Sequence, residues 1–182
     1  MADYGSADQV RLILDSEDNS LPDTKISSFL AEATRYIHDE HGQYVWDKFF
    51  VATAQKSGAA IRELTLYFEP QEGTLRLYHG GVLMTLSTDY TLSGREVTIN
   101  SSFILNDGER IDAKYTPSIY DDYANYLAAT RIAQTKLLNR SEASENIAIK
   151  QMLRDETRRY AKMIEAKPYV GASVDHREDG EW

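Results

Sequence analysis

Lys150, Arg154, Arg158 and Lys162 stand at four-residue steps, with Arg159 beside them. On a helix that spacing sets the side chains one turn above another and makes a cationic stripe. Such a stripe suits an acidic protein surface, on a partner or on a second copy of the chain. The plainer account is a solvated face screened by Asp155 and Glu156. Other chemistry is sparse. His38 and His41 flank Asp39 and Glu40, but they lack the i,i+4 spacing of the zinc-protease motif and no further ligand cluster is evident, so a solvated helix end is expected and a metal site is not. Asp121-Asp122 has the groups for general acid–base work, yet neighbouring side chains on a helix diverge and cannot embrace one substrate. No serine lies in a G-x-S-x-G elbow, and Gly80-Gly81 does not open a helix as a phosphate loop does. These residues give neither a catalytic constellation nor a cofactor site, and an enzyme is not expected.

Composition narrows the classes further. The chain has 182 residues, 42% of them hydrophobic and 27% charged, enough for one large domain or two small ones with a core. No apolar run approaches the roughly 18 residues of a membrane span. Met1-Ala2-Asp3-Tyr4 lacks the basic and apolar regions of a secretory signal. Cysteine is absent, which excludes disulfides and thiolate metal sites. The net charge of −9 is concentrated in the first two thirds of the chain, and a carboxylate-rich surface does not wrap nucleic acid, whose binding rests on Lys and Arg. Twelve tyrosines are present. The cluster Tyr115, Tyr120, Tyr123 and Tyr126 sits beside Asp121 and Asp122, so packing or interface roles suit it better than base stacking.

The elements that must position these residues follow from periodicity. Ala7 to Leu14 reads as a short helix. A longer amphipathic helix opens at the S-x-x-D start Ser20–Asp23, carries Ile26, Phe29, Leu30, Ala33 and Ile37, and ends near Gly42. Val45, Trp46, Phe49 and Phe50 read as more helix. From Ile61 to Tyr115 the period changes to two: Leu64, Leu66 and Phe68, then Leu75 and Leu77, then Val97 and Ile99, then Ile111, Ala113 and Tyr115. Turns are expected at Gly80-Gly81, Ser93-Gly94 and Asp107-Gly108. Helix resumes after Pro117, breaks at Asn139–Ser141, and ends before Pro168, with Ile147, Met152, Tyr160, Met163 and Ile164 as the apolar positions of its last segment. The expected fold is α+β: a discontinuous helical bundle formed by residues 1–60 and 117–167, an inserted small antiparallel β-sandwich or barrel over 61–116, and an extended C-terminal tail over 168–182.

In this arrangement the chain resembles the head-to-tail adaptor, or connector, proteins of tailed viruses. The likeness is carried by the short helix Asp8–Leu14, the polar loop with its hydrophobe Leu21, the long helix from Pro22 to His41, and the turn-rich runs Thr88–Ile99 and Leu105–Tyr115. It implies a non-enzymatic virion protein at the head–tail junction, assembled in the host cytoplasm. It further implies a homo-oligomeric ring, usually of twelve copies, docked on a portal protein and on further neck or tail proteins. Viral DNA would pass through its channel without specific binding. Tyr169 and Trp182 would be aromatic anchors of the tail at the portal, and Lys150, Arg154, Arg158 and Lys162 the assembly stripe. The long β insertion departs from the smaller helical adaptors and leaves a stopper or tail-completion role open. A β-module that binds ligands from a helical stalk is the alternative from another class.

Overall fold

The computed structural model describes residues 4–14, 21–51, 62–135 and 143–166. They form two compact units, one from residues 4–43 with 119–166 and the other from residues 44–118. The α+β class expected from the sequence is present, and its strands form two antiparallel sheets.

The first unit is helical: α1 (Ala7–Ile13), α2 (Asp23–His41), α3 (Ile119–Gln134) and α4 (Ala143–Glu165). α3 is the central helix, and α1, α2 and α4 all pack on it. Its small side chains allow this, since Ala124, Ala128, Ala129 and Ala133 are buried and let neighbours approach closely, while Tyr120, Tyr123 and Ile132 fill the gaps. From α2 come Ile26, Leu30, Ala33 and Ile37, and from the loop before it Leu21. Each of the Leu and Ile side chains stabilises the unit by roughly 1.5–3 kcal/mol when fully buried. α2 begins directly after Pro22, which caps it without a side-chain bond; the expected start at Ser20 lies outside the described residues. It stops at Gly42, whose φ of 78° only glycine adopts freely.

On α4 the structure corrects the sequence reading. Leu153 and Ile164 carry the buried face, with Ile149, Tyr160 and Ala161 partly buried. Ile147, Met152 and Met163, expected to be core, are 68%, 47% and 43% exposed. Among the described residues it packs chiefly on α3, so apolar residues on its other sides meet solvent.

The N-terminal segment is tied into this unit by side chains of α2 and α3. The N–H groups of Tyr4, Gly5 and Ser6 donate in turn to Thr34 Oγ1 (2.9 Å), Asp121 Oδ1 (3.0 Å) and Asn125 Oδ1 (2.9 Å). Ser6 then caps α1 by accepting from the Gln9 N–H. Gly5 has φ 79°, and a Cβ there would collide with the Asn125 amide oxygen.

The second unit is all β. A four-stranded sheet runs in the order β1 (Val45–Phe50), β7 (Arg110–Tyr115), β3 (Arg76–His79), β4 (Val82–Leu83); a three-stranded sheet runs β2 (Glu63–Thr65), β6 (Glu96–Ile99), β5 (Tyr90–Ser93). All pairings are antiparallel. β3 and β4 are joined by Gly80-Gly81, both at positive φ, as expected for a two-residue hairpin. The second hairpin turns on Gly94-Arg95, one residue later than the sequence suggested.

The segment Val45–Phe50, read from sequence as helix, is a strand. Val45, Asp47 and Phe49 are buried while Trp46, Lys48 and Phe50 are exposed. Val45 and Phe49 are four apart, which fits either period; pairing with β7 from Val45↔Tyr115 to Phe50↔Arg110 decides for the strand. The β unit therefore starts at Tyr44, where the sequence reading set it at residue 61.

Asp47 is fully buried in this unit. Its Oδ2 accepts from the Tyr115 hydroxyl (2.6 Å) and from the Tyr67 N–H (2.9 Å), and the Tyr115 oxygen accepts from the Phe68 N–H (3.0 Å). Burial, and then the Asp47 charge, push the Tyr115 hydroxyl well above its ordinary pKa, so it stays a donor at every physiological pH.

Candidate interaction surfaces

Two surfaces stand out, one in each unit. The first is α4. Lys150 is half-buried, and Arg154, Arg158 and Lys162 are exposed. Successive members rotate by about 40°, because four residues overshoot one turn, so the stripe winds slowly round the helix. Arg158 lies 3.9 Å from Asp155, and Arg159 makes a 2.8 Å pair with Glu156 and stands 5.1 Å over the Tyr160 ring. Asp155 is shared, since it also accepts both bonds from Gln151. Lys150, Arg154 and Lys162 make no ion pair among the described residues. An open depression is lined by Asp155, Arg158, Arg159 and Lys162. The structure thus brings the four cations onto one helix with exposed Ile147 among them, whereas exposed Met152 and Met163 lie on another side of it. Tyr169 and Trp182, the other two residues singled out from the sequence, lie outside the described residues.

The second surface was missed by sequence reading. Side chains opposed across an antiparallel sheet share a face. On the outer face of the four-stranded sheet the register makes three rows: Trp46–Lys114–Arg76, Lys48–Asp112–Tyr78–Leu83, and Phe50–Arg110. Tyr44 extends the first row, with the Lys114 ammonium 4.1 Å from its ring centre and 5.4 Å from that of Trp46. Trp46 and Tyr78 stack at 6.0 Å. Tyr44, Trp46, Phe50 and Leu83 are 43–53% exposed. Four cations thus stand among rings with one acid, Asp112, which Arg110 holds at 2.7 Å. The alternation Tyr44, Trp46, Lys48, Phe50 was the available signal, and reading it as helix hid it.

The remaining sequence candidates have structural partners. His38 Nε2 meets the Tyr4 hydroxyl at 2.8 Å, with the rings edge to face. His41 packs against Tyr123, and burial lowers its pKa. Asp121 takes the Gly5 N–H, whereas burial, followed by the charge of Asp121, raises the pKa of Asp122 against the opposing pull of Arg159. The two carboxylates thus serve different neighbours. Tyr115, Tyr120 and Tyr123 are core residues, and burial pushes the Tyr120 hydroxyl up to about 12. Among the described residues no group of three or more His, Asp or Glu side chains is placed to hold a metal ion, and no helix is long and apolar enough to cross a membrane.

No protein-family model matches the chain, and no curated protein matches its sequence.

Proposed function

We propose that the chain is a non-enzymatic structural connector that assembles with copies of itself, and within that class a ring-forming head-to-tail adaptor of a tailed virus. The observation that carries this reading is α4. A 23-residue helix packs chiefly on α3 and exposes Arg154 and Lys162, which make no ion pair among the described residues, with exposed Ile147 about 20° from Arg154 round the helix. An exposed helix face that is both apolar and cationic supports association with an acidic surface, and the chain's net charge of −9 supplies such surface on a second copy. The portal and further neck or tail proteins are the partners on either side of the ring. An acidic channel lets DNA pass by repelling its phosphates.

The test is the mass of the purified protein in solution at low and high salt, with and without reversal of Lys150, Arg154, Arg158 and Lys162 to Glu. A multimer that dissociates in the variant, and whose wild-type form weakens about tenfold or more as salt rises, is expected. A wild-type chain that stays monomeric at high concentration and low salt, and gains nothing from a portal protein, overturns the reading.

A further inference from the structure

The outer face of the four-stranded sheet holds more positive charge than its own acid can balance. Asp112 is taken by Arg110, and Lys48, Arg76 and Lys114 make no ion pair among the described residues. Arg76 donates instead to the Gly73 and Leu75 carbonyls, which leave its charge in place, and the Lys114 ammonium lies over Tyr44 and Trp46. These three cations share one face in a chain whose net charge is −9. Among them Trp46, Phe50 and Leu83 stand about half exposed. We propose that this face docks a short acidic segment of a partner polypeptide, which sets carboxylates on the three cations and apolar side chains on Trp46, Phe50 and Leu83.

Charge and shape together select this occupant. A partner without acids would bury three cations unpaired, at a steep desolvation cost. A plain polyanion would leave Trp46, Phe50 and Leu83 uncovered. A nucleic acid would stack bases on ring faces, but Trp46 and Tyr78 already stack on each other at 6.0 Å, and Tyr44 gives a face to Lys114. Ring edges carry positive partial charge and suit carboxylate oxygens, while the charge of the chain as a whole opposes phosphate. Size decides between a segment and a folded partner. Four strands at about 4.8 Å spacing, with six residues in β1 at about 3.3 Å each, give a face of roughly 15 by 20 Å. That is roughly 300 Å², under half of the about 800 Å² that each side of a stable interface between folded proteins buries. An extended segment of about seven residues spans it. The contact lies within the β unit and needs no assembly through α4.

A library of random peptides, selected on the full chain and stripped of those that still bind a variant with both Lys48→Glu and Lys114→Glu, tests it. The survivors should be rich in Asp and Glu around one or two aromatic or aliphatic residues. A dye-labelled survivor should lose affinity about tenfold with Arg76→Glu and about fivefold with Trp46→Ala, and severalfold in 0.5 M NaCl. Lys25→Glu with Arg35→Glu on α2, which changes the net charge as much as the double lysine reversal, should leave the affinity within about twofold. Circular dichroism tells a variant that has unfolded from one that has lost the site, and Lys48→Gln with Lys114→Gln, which removes charge without reversing it, should still cost about threefold. In a Trp182→Phe background Trp46 is the sole tryptophan, and the bound peptide should shield it from acrylamide. Survivors with no excess of acids, or no survivors at all, overturn the proposal. So does a thymidine dodecamer that binds more tightly than the selected peptides and shields Trp46 in their place.

Discussion

In the helical unit three consecutive N–H groups, those of Tyr4, Gly5 and Ser6, are each met by a different side chain; in the β unit a single carboxylate, Asp47, takes both the Tyr67 N–H and the Tyr115 hydroxyl. The first arrangement spreads its polar demand over Thr34, Asp121 and Asn125. The second concentrates it on one charge with no access to water. Losing a buried carboxylate orphans every buried donor that it serves at once, whereas losing one member of a distributed set orphans a single N–H. The two units should therefore respond differently to single substitutions, the β unit failing at one point and the α unit yielding by degrees.

The sharpest way to break this contrast is Asp47→Ala. It leaves a buried N–H and a buried hydroxyl without their acceptor, at about 4 kcal/mol. Denaturant unfolding followed by Trp46 fluorescence, in the Trp182→Phe background, should show the loss, with a smaller shift in the helical signal at 222 nm. Equal shifts in both would mean the units unfold as one. Gly5→Ala comes next: it strains a positive φ and drives a methyl into Asn125, at about 2 kcal/mol read from the helical signal. Ser6→Ala removes only the α1 cap, so a loss of about 1 kcal/mol is expected. A loss as large as that of Asp47→Ala would show that the N-terminal ties are as brittle as the buried carboxylate.

The smallest effect concerns pH. Glu109 is held at about 2, below the ordinary carboxylate value, first by the Asn106 side-chain amide, then by the Asn106 N–H and by His79. A carboxylate with a depressed folded-state pKa contributes its stabilisation above the unfolded value near 4.5 and loses it as pH falls through about 2. The protection of the Asn106 amide from hydrogen exchange, taken relative to its intrinsic rate at each pH, should fall across that window in the wild type. With Glu109→Gln that protection should be low already at neutral pH and change little.

The parts of this fold that the sequence announced are those where one period dominates. α2 carries Ile26, Leu30, Ala33 and Ile37 on one helical face, and β7 carries Ile111, Ala113 and Tyr115 on one face of a strand. The misread parts are ambiguous for physical reasons. Six residues with Val45 and Phe49 four apart fit either period, and a buried Asp47 reads as a surface residue until Tyr67 and Tyr115 are known to reach it. On α4, Met152 and Leu153 are equally apolar, and only the placement of α3 decides which is covered. The basic stripe was legible because it is local. The aromatic and cationic sheet face was not, because its rows join residues far apart in the chain.

The pairing of β1 with β7 brings Val45 opposite Tyr115, so the segments entering and leaving the β unit run side by side. An interruption of about 70 residues would otherwise impose a closure entropy of about 4 kcal/mol on the helices it separates, against about 1 kcal/mol for a loop of three. Once the strands have zipped, most of that difference is already met, and α2 and α3 can join as though linked by a short turn. Substituting a brief Gly-Ser bridge for residues 45–115 should accordingly leave a helical unit able to fold by itself.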